Sequence, residues 1–232
     1  MSRKVSRLTL DAFEELRAPC RTCLFWELDP VRRAQVCDGE AADEKDAWLS
    51  RVLREWGSCG RVVVVDDQPV GYVIYVPEAF VPGAAAFPTS PVSPDAVLMT
   101  TAWVHPDHRG GGLGRMLIQG MARDLIERGG IRAVEAFGDR GAASGLHGKR
   151  CAAPEEFLAR VGFKTHRTHP TAPRLRMELK GAVRWREEVE GAVERLLGVV
   201  RPKQPAPKAT RTAPKAAAPK TPLPQHREVP GQ

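Results

Sequence analysis

The chain has 232 residues, 42% of them hydrophobic, and a formal net charge of +7, enough for one well-buried core and an appendage. No run of about 18 apolar residues occurs, which excludes a membrane-spanning helix. The start, Met-Ser-Arg-Lys-Val-Ser-Arg, leads into a strand pattern rather than the apolar stretch of a secretory signal, so the expected location is cytoplasmic. The charge is uneven: residues 201–232 carry seven Lys or Arg against one acid, so +6 of the total sits there and residues 1–200 are nearly neutral at +1.

Residues 5–10 predict a first strand and 11–17 a short helix with Asp11 near its start. The next stretch, Cys20-Arg-Thr-Cys23-Leu-Phe-Trp-Glu27, joins a Cys-x-x-Cys pair to two aromatics and a carboxylate. With Cys37, Cys59 and Cys151 elsewhere, the spacing does not by itself make a zinc site. A metal completed by a distant cysteine or histidine, a redox pair, and packing or an acceptor-site wall are all compatible with it, although the βαβ context of a thioredoxin motif is missing. A second helix is predicted over 43–56, where Ala47, Trp48, Val52 and Trp56 share a face and Gly57 follows. Residues 61–65 and 70–76 flank the turn Asp66-Asp67-Gln68-Pro69 and read as a hairpin. Residues 78–94, counting the Pro77 before them, hold five prolines and no period, and are predicted to be a loop long enough to be functional.

A fourth strand over 95–104 meets Pro106 and then the cluster Gly110, Gly111, Gly112 and Gly114. Leu113, Leu117, Met121 and Leu125 follow at the four-residue spacing of one helix face. Glycines at the mouth of a helix let a ligand approach the backbone, where the unpaired N–H groups of the first turn and the positive end of the helix dipole favour a phosphate. A P-loop is excluded, because Gly114 is followed by Arg115 and Met116 rather than Lys and Ser or Thr. The dinucleotide fingerprint Gly-x-Gly-x-x-Gly also fails, because its third glycine falls on Arg115 or Leu117. His105 and His108 read as turn residues, since no other metal-type ligand lies near them in sequence.

The pattern Arg109-x-x-Gly112-x-Gly114, between a strand ending in Val-x-Pro and a long amphipathic helix, resembles the pyrophosphate loop of the GCN5-related N-acetyltransferase (GNAT) family. The order of the following elements resembles it too. Gly129-Gly130 caps the helix, residues 131–137 predict a strand, a short helix starts near Pro154, and Val161-Gly162-Phe163 leads into two extended stretches, the last over 174–180. The resemblance implies an α/β fold: a mixed, mostly antiparallel sheet of about six to seven strands, with splayed fourth and fifth strands and flanking helices. It implies acetyl-CoA as co-substrate, with no metal. The backbone of Ala102, Trp103 and Val104 would pair with the pantetheine arm as an added strand does. The diphosphate would lie on Arg109, Gly110, Gly111, Gly112, Leu113, Gly114 and Arg115, with the Arg109 and Arg115 side chains as charge partners; Arg115 equally fits a solvated helix position.

Acetyl transfer to an amine needs a neutral nitrogen, and deprotonating a lysine-like amine with pKa about 10.4 costs roughly 4 to 5 kcal/mol at pH 7. The residues the family often uses for proton transfer are absent. Its frequent tyrosine acid falls on Leu158, the associated asparagine on Cys151 and a following small residue on Pro154. The glutamate base of its histone-modifying branch falls on Leu98, and both tyrosines, Tyr72 and Tyr75, lie in the third strand. The nearest carboxylates, Asp95 and Glu78, are the candidates for the base. Family resemblance places Phe25, Trp26 and Glu27 near the acceptor pocket, where an aromatic beside a carboxylate suits a cationic amine.

The domain organisation expected is a GNAT domain over 1–180, an appended helix over 181–200 that packs on the domain or on a second copy as a homodimer, and a disordered basic tail over 201–232, rich in Pro, Ala and Lys. The acceptor is a small-molecule amine or a protein lysine. A competing reading takes the tail as a non-specific nucleic acid contact and the domain as an acyl-CoA sensor that does not turn its ligand over.

Overall fold

In the computed structural model, residues 2–16, 18–37, 39–141 and 152–179 are described. They form, in chain order, β1 (Arg3–Arg7), α1 (Leu10–Glu15), α2 (Pro30–Gln35), α3 (Ala41–Glu55), β2 (Gly60–Val65), β3 (Gln68–Val76), β4 (Ala96–Val104), α4 (Leu113–Arg128), β5 (Ala133–Asp139), β6 (Ala153–Pro154), α5 (Glu155–Arg160), β7 (Lys164–Arg167) and β8 (Arg174–Glu178). The strands make one sheet in the order β1-β2-β3-β4-β5-β8-β7, and the two-residue β6 pairs with β5. Only the β4–β5 and β5–β6 pairings are parallel, so the sheet is the expected mixed, mostly antiparallel one.

Strand alternation sends successive side chains to opposite faces, and each face is covered by helix. Val73 and Tyr75 of β3, Val97 of β4 and Val134 of β5 pack with Leu113, Leu117, Ile118, Met121 and Leu125 of α4. Tyr72 and Ile74, Leu98 and Phe137 face the other way and pack with Phe13 of α1 and Trp48, Leu49 and Val52 of α3. Burying each such side chain contributes about 1.5–3 kcal/mol. A buried polar knot also ties α4 to the sheet. The Tyr75 hydroxyl donates to Asp124 Oδ2 at 2.6 Å, and Arg61 pairs with the same carboxylate. Arg128 donates to the carbonyls of Trp56 at 2.7 Å and Ser58 at 2.5 Å.

Several expected boundaries move. The first strand is Arg3–Arg7 rather than 5–10, because the Thr9 hydroxyl accepts from Ala12 N–H and starts α1 at Leu10, leaving Asp11 inside the first turn. Helix α2 was not anticipated: Asp29 caps it through Val31 and Arg32 N–H with Pro30 at its first position, but it buries no side chain and therefore has no apolar period. β5 begins two residues later than expected, since Gly129 and Gly130 both have positive φ and the turn consumes more chain. The proline-rich segment before β4 holds two short 3₁₀ turns, Glu78–Phe80 and Pro82–Ala86, and packs into the core through Val81, Phe87 and Val92. The expected appended helix over 181–200, the tail over 201–232 and Cys151 lie outside the described residues.

Candidate functional site

The organising feature is the seam between β4 and β5. The two strands pair at Ala96–Ala133, Val97–Val134 and Leu98–Glu135 and then part. At the parting, β4 carries an extra residue: Ile74 of β3 lies opposite Thr101 while Tyr75 lies opposite Met99, so Thr100 is bulged. A bulge bends a strand and increases its twist, which turns the second half of β4 away from β5.

In that second half the backbone direction alternates. His105 N–H donates to Val70 O at 2.8 Å, toward β3. By the alternation of an antiparallel ladder, Trp103 and Thr101 also face β3, whereas the N–H and C=O of Ala102 and Val104 face the gap. The Val104 carbonyl accepts from Arg109 Nε at 3.0 Å. Ala102, Trp103 and Val104 are all half-buried.

The gap opens toward the glycine loop. Gly110 and Gly112 have φ of 80° and 81°, in the left-handed region where a Cβ is unfavourable. Nothing lies within 4 Å of where either Cβ would be, so their backbone faces open space. Gly112 caps α4, and its carbonyl accepts from Met116 N–H at 3.1 Å. Gly114 serves packing instead: a Cβ there would come 2.9 Å from the Phe157 ring, so its absence lets α5 approach α4. Leu113 is buried under the loop, and Arg115 reaches the carbonyl of Arg160 at 3.4 Å. One loop contact comes from far away in sequence: Arg3 Nη1 donates to Gly111 O at 2.9 Å. These groups make a helix mouth with bare amides and three guanidinium groups nearby, which is chemistry for an anion.

The closed end of the seam is held by charge. Arg176 of β8 donates to both oxygens of Asp95 at 2.9 Å and to Glu135 Oε1 at 3.0 Å, and Arg174 lies 3.2 Å from Glu135 Oε2. Hydrogen bonding to Arg176 holds the Asp95 carboxyl below its ordinary range. Burial pushes Glu135 up, but hydrogen bonds from Ser93 and Arg176 and the Arg174 charge outweigh it and hold this carboxyl low as well. Glu78 accepts from the Ser90 hydroxyl and Val92 N–H, each at 3.1 Å. Leu158, at the position of the family tyrosine, is fully buried among apolar side chains.

On the face opposite α4, Phe137 in the open half of β5 stacks on Phe87 at 4.2 Å, and Phe87 stacks on Trp26 at 5.1 Å. Trp26 is therefore core. Glu27 does not face an open pocket, because it is buried in an ion pair with Lys45. Beside this stack is a cavity of about 730 Å³ whose lining includes Cys23, Phe25, Arg33 and Cys37. Cys20, Cys23, Cys37 and Cys59 are not in disulfides, and no group of three potential metal ligands occurs among the described residues. His105 and His108 lie in or beside the short turn before the loop. Among the described residues no helix is long and apolar enough to cross a membrane.

Sequence reasoning missed Arg3, Glu135, Arg174, Arg176 and Phe87. None belongs to a local motif, and each acquires its place only through strand order.

A family model described as Acetyltransferase (GNAT) family matches residues 11–152. No curated protein matches the sequence. Among solved structures, an acetyltransferase aligns with a TM-score of 0.52 at 17% identity, covering 76% of this chain and 99% of that one. An N-acetyltransferase from Staphylococcus aureus Mu50 aligns at 0.50 with 12% identity, covering 77% and 99%. PaiA N-acetyltransferase from Thermoplasma acidophilum, solved in complex with coenzyme A, aligns at 0.48 with 14% identity and the same coverage. At these identities the likeness to the first two is one of fold.

Proposed function

The chain belongs to the GNAT acetyltransferase family, and from that premise we propose that it transfers an acetyl group from acetyl-CoA to a primary amine by direct attack in a ternary complex. The observation that carries the reading is the seam that opens at the Thr100 bulge and ends at the bare-amide loop of α4. The residues present fit acetyl-CoA: a strand edge with inward-facing polar groups leads to a loop whose glycines leave room at the backbone. Bound acetyl-CoA supplies the activated thioester.

Ala102 and Val104 then pair with the pantetheine arm, with Trp103 between them turned to β3. The amides of Gly110, Gly111, Gly112, Leu113, Gly114 and Arg115, with the Arg109 and Arg115 guanidinium groups, hold the diphosphate. Of the two carboxylates considered for the amine proton, Asp95 is clamped by Arg176 and kept ionised, which makes it a weak base. We assign the amine proton to Glu78, directly or through water; the thioester C–S bond breaks as the C–N bond forms, and coenzyme A leaves as a thiolate that takes its proton from solvent, with positioning of amine and thioester supplying much of the rate.

The test is thiol release from acetyl-CoA against a panel of amines, amino acids and lysine peptides, beside calorimetric binding of the cofactor. Turnover with one acceptor class is expected, and Glu78→Gln should lower kcat while Asp95→Asn does not. A wild-type protein that neither binds nor consumes acetyl-CoA would sink the proposal. Binding without turnover would favour the sensor reading. The composition of residues 201–232, +6 over that stretch, supports a second, separable property: salt-sensitive contact with nucleic acid that deletion after Val200 should abolish without changing cofactor affinity.

A further inference from the structure

We propose that Arg3 is a positioning residue for the diphosphate loop, setting which way the Gly111–Gly112 peptide faces; this rests on the acyl-CoA reading above. The loop is poised between two orientations. Rotating a peptide plane by half a turn changes ψ of the residue before it and φ of the residue after it by about 180°. Gly112 has φ of 81°, and the rotated plane would bring it near −99°, a value glycine also adopts freely. Gly111 likewise carries no Cβ to resist the change. The backbone alone therefore does not choose between presenting the Gly112 N–H to an anion and presenting the Gly111 carbonyl, which would repel it.

Arg3 makes that choice. Its Nη1 donates to Gly111 O at 2.9 Å, and its guanidinium nitrogens lie 3.6 and 3.8 Å from where a Gly111 Cβ would be. In a trans peptide the C=O and the following N–H point in opposite directions. A carbonyl held toward Arg3 thus fixes the Gly112 N–H pointing away from β1, and the positive charge behind the carbonyl polarises that N–H further. Strand order makes the reach possible: β1 runs antiparallel to β2, β2 to β3 and β3 to β4, so the start of β1 lies at the same end of the sheet as the end of β4. Val5 then holds β1 against α4, its Cγ1 lying 2.8 Å from where a Gly120 Cβ would be. Arg3 is exposed, and no carboxylate partner is found for it among the described residues. Its hydrogen bond to the loop is therefore not a by-product of core packing or of an ion pair.

Arg3 in this arrangement acts through the peptide and does not touch the ligand. The experiment measures the Kd of coenzyme A, 3′-dephospho-coenzyme A and pantetheine for wild-type protein and for Arg3→Ala and Arg3→Gln, with thermal unfolding run alongside. Losing one charge-assisted orientation predicts a roughly tenfold weaker Kd in Arg3→Ala, equal for coenzyme A and its dephospho form. Pantetheine, which lacks the diphosphate, should bind as before. Arg3→Gln keeps a neutral donor for the carbonyl and should recover most of the loss. An effect confined to coenzyme A would make Arg3 a direct ligand of the 3′-phosphate and overturn the positioning role. A parallel loss for pantetheine would reduce Arg3 to a general structural contact, and unchanged affinity throughout would also refute the proposal. Failure of the wild-type protein to bind coenzyme A would instead be a failure of the acyl-CoA reading.

Discussion

The two ends of the β4–β5 seam are built on opposite principles. At the closed end, three residues of each strand pair, and the carboxylates of Asp95 and Glu135 are clamped by Arg176 and Arg174. At the open end the strands part after Leu98, β4 bulges at Thr100, the backbone of Ala102 and Val104 is turned into the gap, and glycines begin α4. Paired charge holds one end closed, while the other turns strand-edge backbone into a gap. A strand edge with unpaired polar groups is costly inside a protein unless something pairs with it, so the two ends should answer differently to substitution.

Breaking the closed end should have the largest effect. Arg176→Ala removes two hydrogen bonds to Asp95 and one to fully buried Glu135, which keeps Arg174 and the Ser93 N–H, and losing these charge-assisted bonds should cost about 3 kcal/mol in urea unfolding. A loss under about 1 kcal/mol would show the clamp to be incidental. The complementary break is Gly112→Glu at the open end. It places a side chain at positive φ and a negative charge where the diphosphate is expected. Coenzyme A affinity should fall by at least about a hundredfold, while stability drops by only about 1 kcal/mol. The two variants together sharpen the contrast: one should lose stability and the other the ligand.

A smaller effect is expected at the knot that anchors α4. Tyr75→Phe removes one buried hydrogen bond from Asp124, which keeps Arg61, and should cost about 1 kcal/mol with cofactor affinity unchanged. The smallest effect is in pH. Asp95 and Glu135 are both held below their ordinary values in the folded state. Their contribution to stability is therefore present above the unfolded carboxylate range, near pH 4, and is lost as pH falls through the lower folded values. Acid titration of the unfolding free energy should show this limb in wild-type protein and a shallower one in Arg176→Ala. An identical limb in both would disconnect the clamp from acid stability.

Local and long-range signals divide the molecule in the same way. Helix α4 and its glycine mouth were readable because every signal was local: the apolar residues at four-residue spacing, the glycine cluster, and Gly129 as the cap. The hairpin from β2 to β3 was readable for the same reason, with Asp66 and Asp67 both taking the positive φ its turn requires. Helix α2 escaped because a six-residue surface helix has no buried face to leave a period. The proline-rich segment looked like loop and is partly core, because burial of Val81 and Phe87 depends on what packs above them and not on their neighbours in sequence.

By itself, then, the sequence determined helix α4, its glycine mouth and the β2–β3 hairpin, because each is written in short-range spacing that backbone geometry converts directly into structure, and the resemblance carried by that loop and by the order of elements pointed to the family and the mixed sheet. Tertiary structure alone decided which residues serve that loop and seam. Arg176 meets Asp95 across 81 positions and Glu135 across 41, and Arg3 meets Gly111 across 108. Such pairs carry no local signal, since it is strand order, set by the burial of two apolar faces, that brings a side chain from one end of the chain to a backbone group near its middle.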